Sequence, residues 1–172
     1  MNEATILKQI IENRRSIYPK NYSSKPIEDE VLGEILSSSN FAPNHKKTKP
    51  WRFHLLKGEA LTNLSLEIQK IYKETTPQHL FLQKKHDDFA HKISQTSAII
   101  PIVVNYSGLV PQWEEVAAVS MAVQNMYLTA TAHKVGCYWS SHPVFHQLKS
   151  YFELEENQEC LGLFYLGNVA EN

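Results

Sequence analysis

The sequence predicts an α+β fold or a three-layer α/β/α arrangement, formed by one domain spanning residues 1–172. Three observations carry this. Several segments repeat apolar residues at helical spacing. Between them lie short apolar runs of strand length, one with no polar alternation. No repeat, Gly/Ser linker or low-complexity stretch divides the chain. A globule of 172 residues buries roughly 70% of the surface its unfolded chain exposes, enough for a core without staples.

Ile6, Leu7, Ile10 and Ile11 mark a first amphipathic helix ending near Arg14-Arg15. Pro19 and Pro26 hold the next stretch extended. Glu28-Asp29-Glu30 suits the positive end of a second helix, whose buried stripe is Val31, Leu32, Ile35 and Leu36. After Pro43 and Pro50, residues 51–56 read as a strand and Gly58 as its turn. A helix over 60–73 turns Leu61, Leu64, Ile68 and Ile71 inward. The polar, His-rich span 75–97 predicts a loop and then a helix around 80–93. Residues 98–104 form a strand covered on both faces, in which Pro101 points to an edge position or a bulge. The long helix after Pro111, reaching about Lys134, is small or apolar nearly all round and so belongs in a core or a subunit interface. Gly136 is expected to stop it with left-handed backbone. A last strand covers 161–167.

Seventeen basic and eighteen acidic residues leave a net charge of -1, which argues against a polyanion-binding protein and so against nucleic acid as partner. No apolar run approaches a bilayer span, and Met1-Asn2-Glu3-Ala4-Thr5 is unlike a secretory leader, so no membrane role and a cytoplasmic location are expected. Cys137 and Cys160 lack zinc-ligand spacing and read as buried thiols. His142 and His146 stand four apart, but Pro143 disfavours a shared helical face, and no metal site is expected. Dinucleotide, P-loop, zincin and nucleophile-elbow motifs are absent. The basic run His45-Lys46-Lys47-Thr48-Lys49 reads by itself as a solvated loop.

Taken in order, however, Arg14-Arg15-Ser16-Ile17, Lys25-Pro26-Ile27, Ala42-Pro43-Asn44-His45-Lys46 and Lys49-Pro50-Trp51-Arg52-Phe53 resemble the FMN-dependent nitroreductase family, its small single-domain NAD(P)H branch in particular. Pro111-Gln112-Trp113-Glu114, Gly136-Cys137-Tyr138-Trp139-Ser140-Ser141 and Gly162-Leu163-Phe164-Tyr165-Leu166-Gly167 extend the likeness over nearly the whole chain. The resemblance implies a three-layer α/β/α sandwich with a mixed central sheet, and a homodimer with FMN at the subunit interface. It implies an enzyme: an oxidoreductase that passes hydride through flavin N5, by a ping-pong route, from NADH or NADPH to nitroaromatic, quinone or similar small electron-poor acceptors.

The same resemblance assigns cofactor contacts. Arg14, Arg15 and Ser16 match phosphate and ribityl contacts. Phe41, Pro43, Asn44, His45 and Lys47 match the loop that reaches the flavin from the partner. Tyr138, Trp139, Ser140 and Ser141 match a turn beside the isoalloxazine. No catalytic side chain is implied, because the cofactor carries the chemistry. The chain departs from the family pattern at three places. Tyr18 stands where Arg or Lys is common, Ser140 replaces a basic residue of small relatives, and the tail ends at Asn172. These departures define an alternative: a flavin-binding or structural homodimer with little turnover, its phosphate clamp and tail reduced.

Overall fold

The computed structural model describes residues 2–170. Met1, which opens the stretch read for a leader, and Glu171 and Asn172, which close the tail, lie outside the described residues. The described residues form α1 (Glu3–Asn13), α2 (Asp29–Ser38), β1 (Trp51–Arg52), α3 (Glu59–Thr75), α4 (Gln83–Ser94), β2 (Ala98–Asn105), α5 (Gln112–Ala132), β3 (Val135–Ser140) and β4 (Gln158–Asn168), with short 3-10 turns between some of them. No helix among them is long and apolar enough to cross a membrane.

The strands make one sheet in the order β1-β2-β4-β3, and every pairing among the described residues is antiparallel. The implied mixed sheet is therefore corrected. Helix α5 carries the chain from β2 to β3, so those two strands run the same way, as a helical crossover allows. Strand β4 fills the gap between them and runs against both.

Helices cover both sheet faces. Ile100, Ile102 and Val104 of β2 pack with α2 through Leu32 and Ile35, and with α5 through Val119, Ala122 and Met126. Ile99 and Val103, on the opposite face, pack with Leu64 and Ile68 of α3 and with Phe89 and Ile93 of α4. A strand sealed on both sides needs no polar alternation, which is why β2 reads as a continuous apolar run.

Pro101 sits inside an interior strand, not at an edge. Ile99 exchanges both backbone hydrogen bonds with Leu56, at 2.8 and 3.1 Å. Two residues on, the donor that proline lacks therefore falls on the same side, opposite 53–55. The ladder is interrupted there, so the strand expected over 51–56 shrinks to Trp51–Arg52 plus one bridge at Leu56. On the other side β4 bulges, Ile102 pairing with Gly162 and Val103 with Cys160.

The end of α5 also differs from expectation. Lys134 takes the left-handed backbone, with φ of 60°, while Gly136 lies within β3. Gly136 is there for closeness, because a Cβ would meet the Tyr22 ring at 2.8 Å. Helix α1 forms where its periodicity predicts, capped by Asn2, which accepts the Thr5 N–H at 2.9 Å. It buries none of its side chains: Ile6, Leu7 and Ile11 are each about half exposed.

Candidate functional site

The segment that follows α1 is pinned to the outer edge of β3. Ile17 donates its N–H to the Cys137 carbonyl at 3.0 Å. The Tyr22 hydroxyl donates to the Ile17 carbonyl at 2.8 Å, and its ring lies so close to Gly136 and Gly167 that neither position has room for a side chain. Burial pushes the Tyr22 phenol far above its ordinary range, so it stays a neutral donor. These bonds present Arg14 and Ser16 beside the sheet edge.

Tyr127, on α5, joins them to β3. Its hydroxyl accepts the Trp139 backbone N–H at 2.7 Å and lies 3.5 Å from Ser16 Oγ. The Arg14 guanidinium sits 5.4 Å from the Tyr127 ring centroid, in cation–π range. Burial raises the Tyr127 pKa, opposed by its Ser16 and Trp139 hydrogen bonds and by Arg14. Sequence reasoning missed this residue. The available signal was the single tyrosine of the mostly small and apolar α5, since a partly buried phenol requires a partner.

Arg15 turns the other way. Its guanidinium donates to the Glu12 and Arg14 carbonyls at 2.7 and 2.9 Å, closing the C-terminal end of α1. The 138–141 stretch, expected as a turn, is the end of strand β3 with only Ser141 beyond it. Pairing with β4 as far as Ser140↔Leu163 holds it extended. Tyr138 is buried between Tyr165 and Tyr18, with ring centroids 4.9 Å from each, so its side chain faces away from Trp139. Trp139 donates its Nε1 to the Leu161 carbonyl at 3.3 Å. Ser140 is half-buried and Ser141 exposed.

Phe41, Pro43, Asn44, His45 and Lys47 belong to a second group, a loop that meets the start of α5 through His45. Phe41 is 83% exposed. Asn44 ties the loop, donating to the Ala42 carbonyl at 3.2 Å and accepting the Lys49 N–H at 2.9 Å. His45 Nδ1 lies 2.6 Å from Glu114 Oε2, and Lys46 donates to the Leu109 carbonyl at 3.0 Å. Lys46, Lys47 and Lys49 all have positive φ, a conformation costing roughly 1 kcal/mol or more per non-glycine residue. This loop holds strain, and Lys47 projects exposed from it.

Glu114 and Tyr127 are separated by most of α5, roughly 20 Å at 1.5 Å per residue. One chain therefore holds the two groups near opposite ends of the same helix. Elsewhere, burial pushes the Cys137 thiol up to about 12 and the Cys160 thiol to about 11, leaving neither as a nucleophile at neutral pH. His142 accepts the Val144 N–H at 3.2 Å, whereas His146 sits 3.1 Å from Glu159. The two histidines have separate partners, and no group of three or more His, Cys, Asp or Glu residues among the described residues could hold a metal.

A model of the nitroreductase family matches residues 11–168. A Bacillus subtilis (strain 168) protein named "Putative NAD(P)H nitroreductase YfhC" is 24% identical over 99% of this chain and 88% of its own length. A nitroreductase-like family protein from Bacillus cereus superposes with a TM-score of 0.83 at 25% identity, over 99% of this chain and 89% of that one. The nitroreductase with bound FMN from Bacteroides fragilis NCTC 9343 superposes at 0.77 and 19% identity, over 100% and 91%.

Proposed function

The chain belongs to the nitroreductase family, and from that premise we propose that it is an FMN-dependent NAD(P)H oxidoreductase working as a pair of identical subunits in the cytoplasm. FMN held by Arg14 and Ser16 would supply the chemistry, hydride transfer through N5 from NADH or NADPH to a nitroaromatic, quinone or similar acceptor. The FMN-bound Bacteroides fragilis neighbour supports the cofactor, and the naming of the Bacillus subtilis relative supports the reductant.

One observation carries the reading: Arg14, Ser16 and the Tyr127 hydroxyl, which already accepts the Trp139 N–H, converge on the outer edge of β3. This donor set fits a phosphorylated, hydroxylated cofactor. A guanidinium and a hydroxyl give charge-assisted, directed bonds to phosphate oxygens, and the strand edge running to Ser140 and Ser141 offers backbone groups to a flat heteroaromatic ring. Phe41, Pro43, Asn44, His45 and Lys47 complete the site from the second copy, since within one chain His45 is bonded at the far end of α5. The exposed apolar side chains Ile6, Leu7 and Ile11 on α1, Trp113 and Met121 on α5, and Phe41 give that copy a surface to cover.

The test is FMN titration of the purified chain, followed by its visible absorbance. Arg14→Ala should weaken binding by about 1–3 kcal/mol, roughly five- to 150-fold, through loss of a charge-assisted bond. Arg15→Ala should leave FMN affinity within about twofold, because its guanidinium is spent on α1 carbonyls. A chain that neither carries nor takes up FMN at tens of micromolar overturns the proposal. The alternative, a flavin-binding or structural dimer with little turnover, draws support from the same capping role of Arg15 and from Tyr18 packed on Tyr138 where a cation is common. Bound FMN with no NADH or NADPH oxidation by any nitroaromatic or quinone would favour it.

A further inference from the structure

We propose that the pocket between α4 and the end of β3 seats an aromatic acid, so that the preferred acceptors are electron-poor arenes carrying a carboxylate or sulfonate. The acceptor half of this assignment rests on the proposed flavin site; the binding half does not.

The pocket is about 330 Å³. Its floor is aromatic, made by Phe89, Phe145 and the stacked pair Tyr138 and Tyr165. Its rim is cationic: Lys84, Lys85 and Lys92 project from α4, with Asp88 as the one acid among the lining residues. These lysines form no ion pair among the described residues, whereas Lys8, Lys57 and Lys70 each do. His142 also lines the pocket. Burial lowers its pKa, and the nearby Lys85 and Lys92 ammonium groups lower it further, so near neutral pH it stands as an uncharged hydrogen-bonding partner.

An aromatic floor under an unpaired cationic rim matches a planar ring bearing an anion. The volume lies at the lower end of small-molecule pockets, roughly 300–1,000 Å³, which suits a single substituted ring and is too small for a dinucleotide. Ser140 lines the pocket and also ends the strand whose outer edge forms the candidate flavin site. A ring seated here therefore lies next to that edge.

The probe is 4-nitrobenzoate, with neutral 4-nitrotoluene as its match, titrated by calorimetry into the full-length protein with FMN added. The expected result is tighter binding of the carboxylate than of the neutral probe. In Lys84→Ala/Lys85→Ala/Lys92→Ala that affinity should fall on the order of tenfold, and it should weaken with added salt. The three side chains are exposed, so the variant should keep the parent melting temperature. In turnover, kcat/KM for 4-nitrobenzoate should fall by a similar factor, while 4-nitrotoluene and the KM for NADH and NADPH stay unchanged. If FMN binds and neutral acceptors turn over, yet 4-nitrobenzoate binds no better than its neutral match or is indifferent to the lysines, the pocket assignment is overturned. A change confined to the KM of the reductant also overturns it. If FMN does not bind but lysine-dependent 4-nitrobenzoate binding persists, the flavin reading fails and the pocket stands.

Discussion

Gly162→Ala tests how the candidate site is held, because this glycine supports it from behind. Gly162 lies at the β4 bulge with φ of 148°, a backbone conformation that side-chain-bearing residues rarely adopt. A Cβ there would come closer than 3.0 Å to the Ser140 carbonyl oxygen and to Trp139 Nε1, and would sit 2.9 Å from Trp139 Cδ1. The carbonyl is backbone, so it can yield only if the end of β3 moves. Backbone strain of about 1–3 kcal/mol and overpacking of about 1–3 kcal/mol act together. At roughly 2–4 °C per kcal/mol for a chain of this size, the melting temperature should drop by roughly 5–20 °C. Displacing Trp139 and Ser140 should also weaken FMN binding at least about fivefold, at a temperature where the variant is still folded. Circular dichroism melts and flavin fluorescence titrations measure the two effects. Gly33→Ala on α2 is the control: a Cβ there meets nothing within 4 Å, so the melting temperature should hold or rise slightly. Parent-like stability and FMN affinity in Gly162→Ala would refute this account of the strand end.

Tyr127→Phe should cost about 1 kcal/mol of stability, seen as a melting temperature roughly 2–4 °C lower, because the Trp139 N–H loses its acceptor. FMN affinity should fall as well, and an unchanged titration would remove Tyr127 from the site. Ala122→Glu should prevent folding at any protein concentration, since Ala122 is fully buried within the chain's own core and an unpaired carboxylate there is very costly. Met121→Glu, one residue away but 40% exposed, should instead give a folded monomer by sedimentation. His142 binds its proton less readily in the folded chain than in the unfolded one, first through burial and then through Lys85 and Lys92. Below about pH 6.5 the unfolded chain therefore takes up more protons, and stability falls as the solution is acidified. In His142→Asn, which keeps an acceptor for the Val144 N–H, the loss in melting temperature between pH 7.5 and 5.5 should be smaller than in the parent; an equal loss would exclude His142 as its source.

Much of the local structure was legible from residue periodicity. The inward residues Leu61, Leu64, Ile68 and Ile71 of α3, the doubly covered β2 and the nearly all-apolar α5 occur where spacing and composition place them. Misreadings arose where a neighbour decided the outcome. Gly136 resembles a helix stop, yet the Tyr22 ring uses its missing side chain. Pro101 shortens β1 because its absent donor faces that strand and no other. Arg14 and Arg15 are adjacent and chemically alike, but α1 ends so that one faces Tyr127 and the other folds back on the helix.

Apolar period and proline placement act within a few residues of themselves, so the helices and the central strand could be read directly from the order of amino acids. Which side chains meet depends on how α5 crosses the sheet and where β4 inserts. Those contacts join residues more than a hundred positions apart, such as Ser16 with Tyr127 and Tyr22 with Tyr165. Only the packed chain brings Arg14, Tyr127 and Trp139 to one strand edge while carrying the loop at His45 to the far end of the same helix.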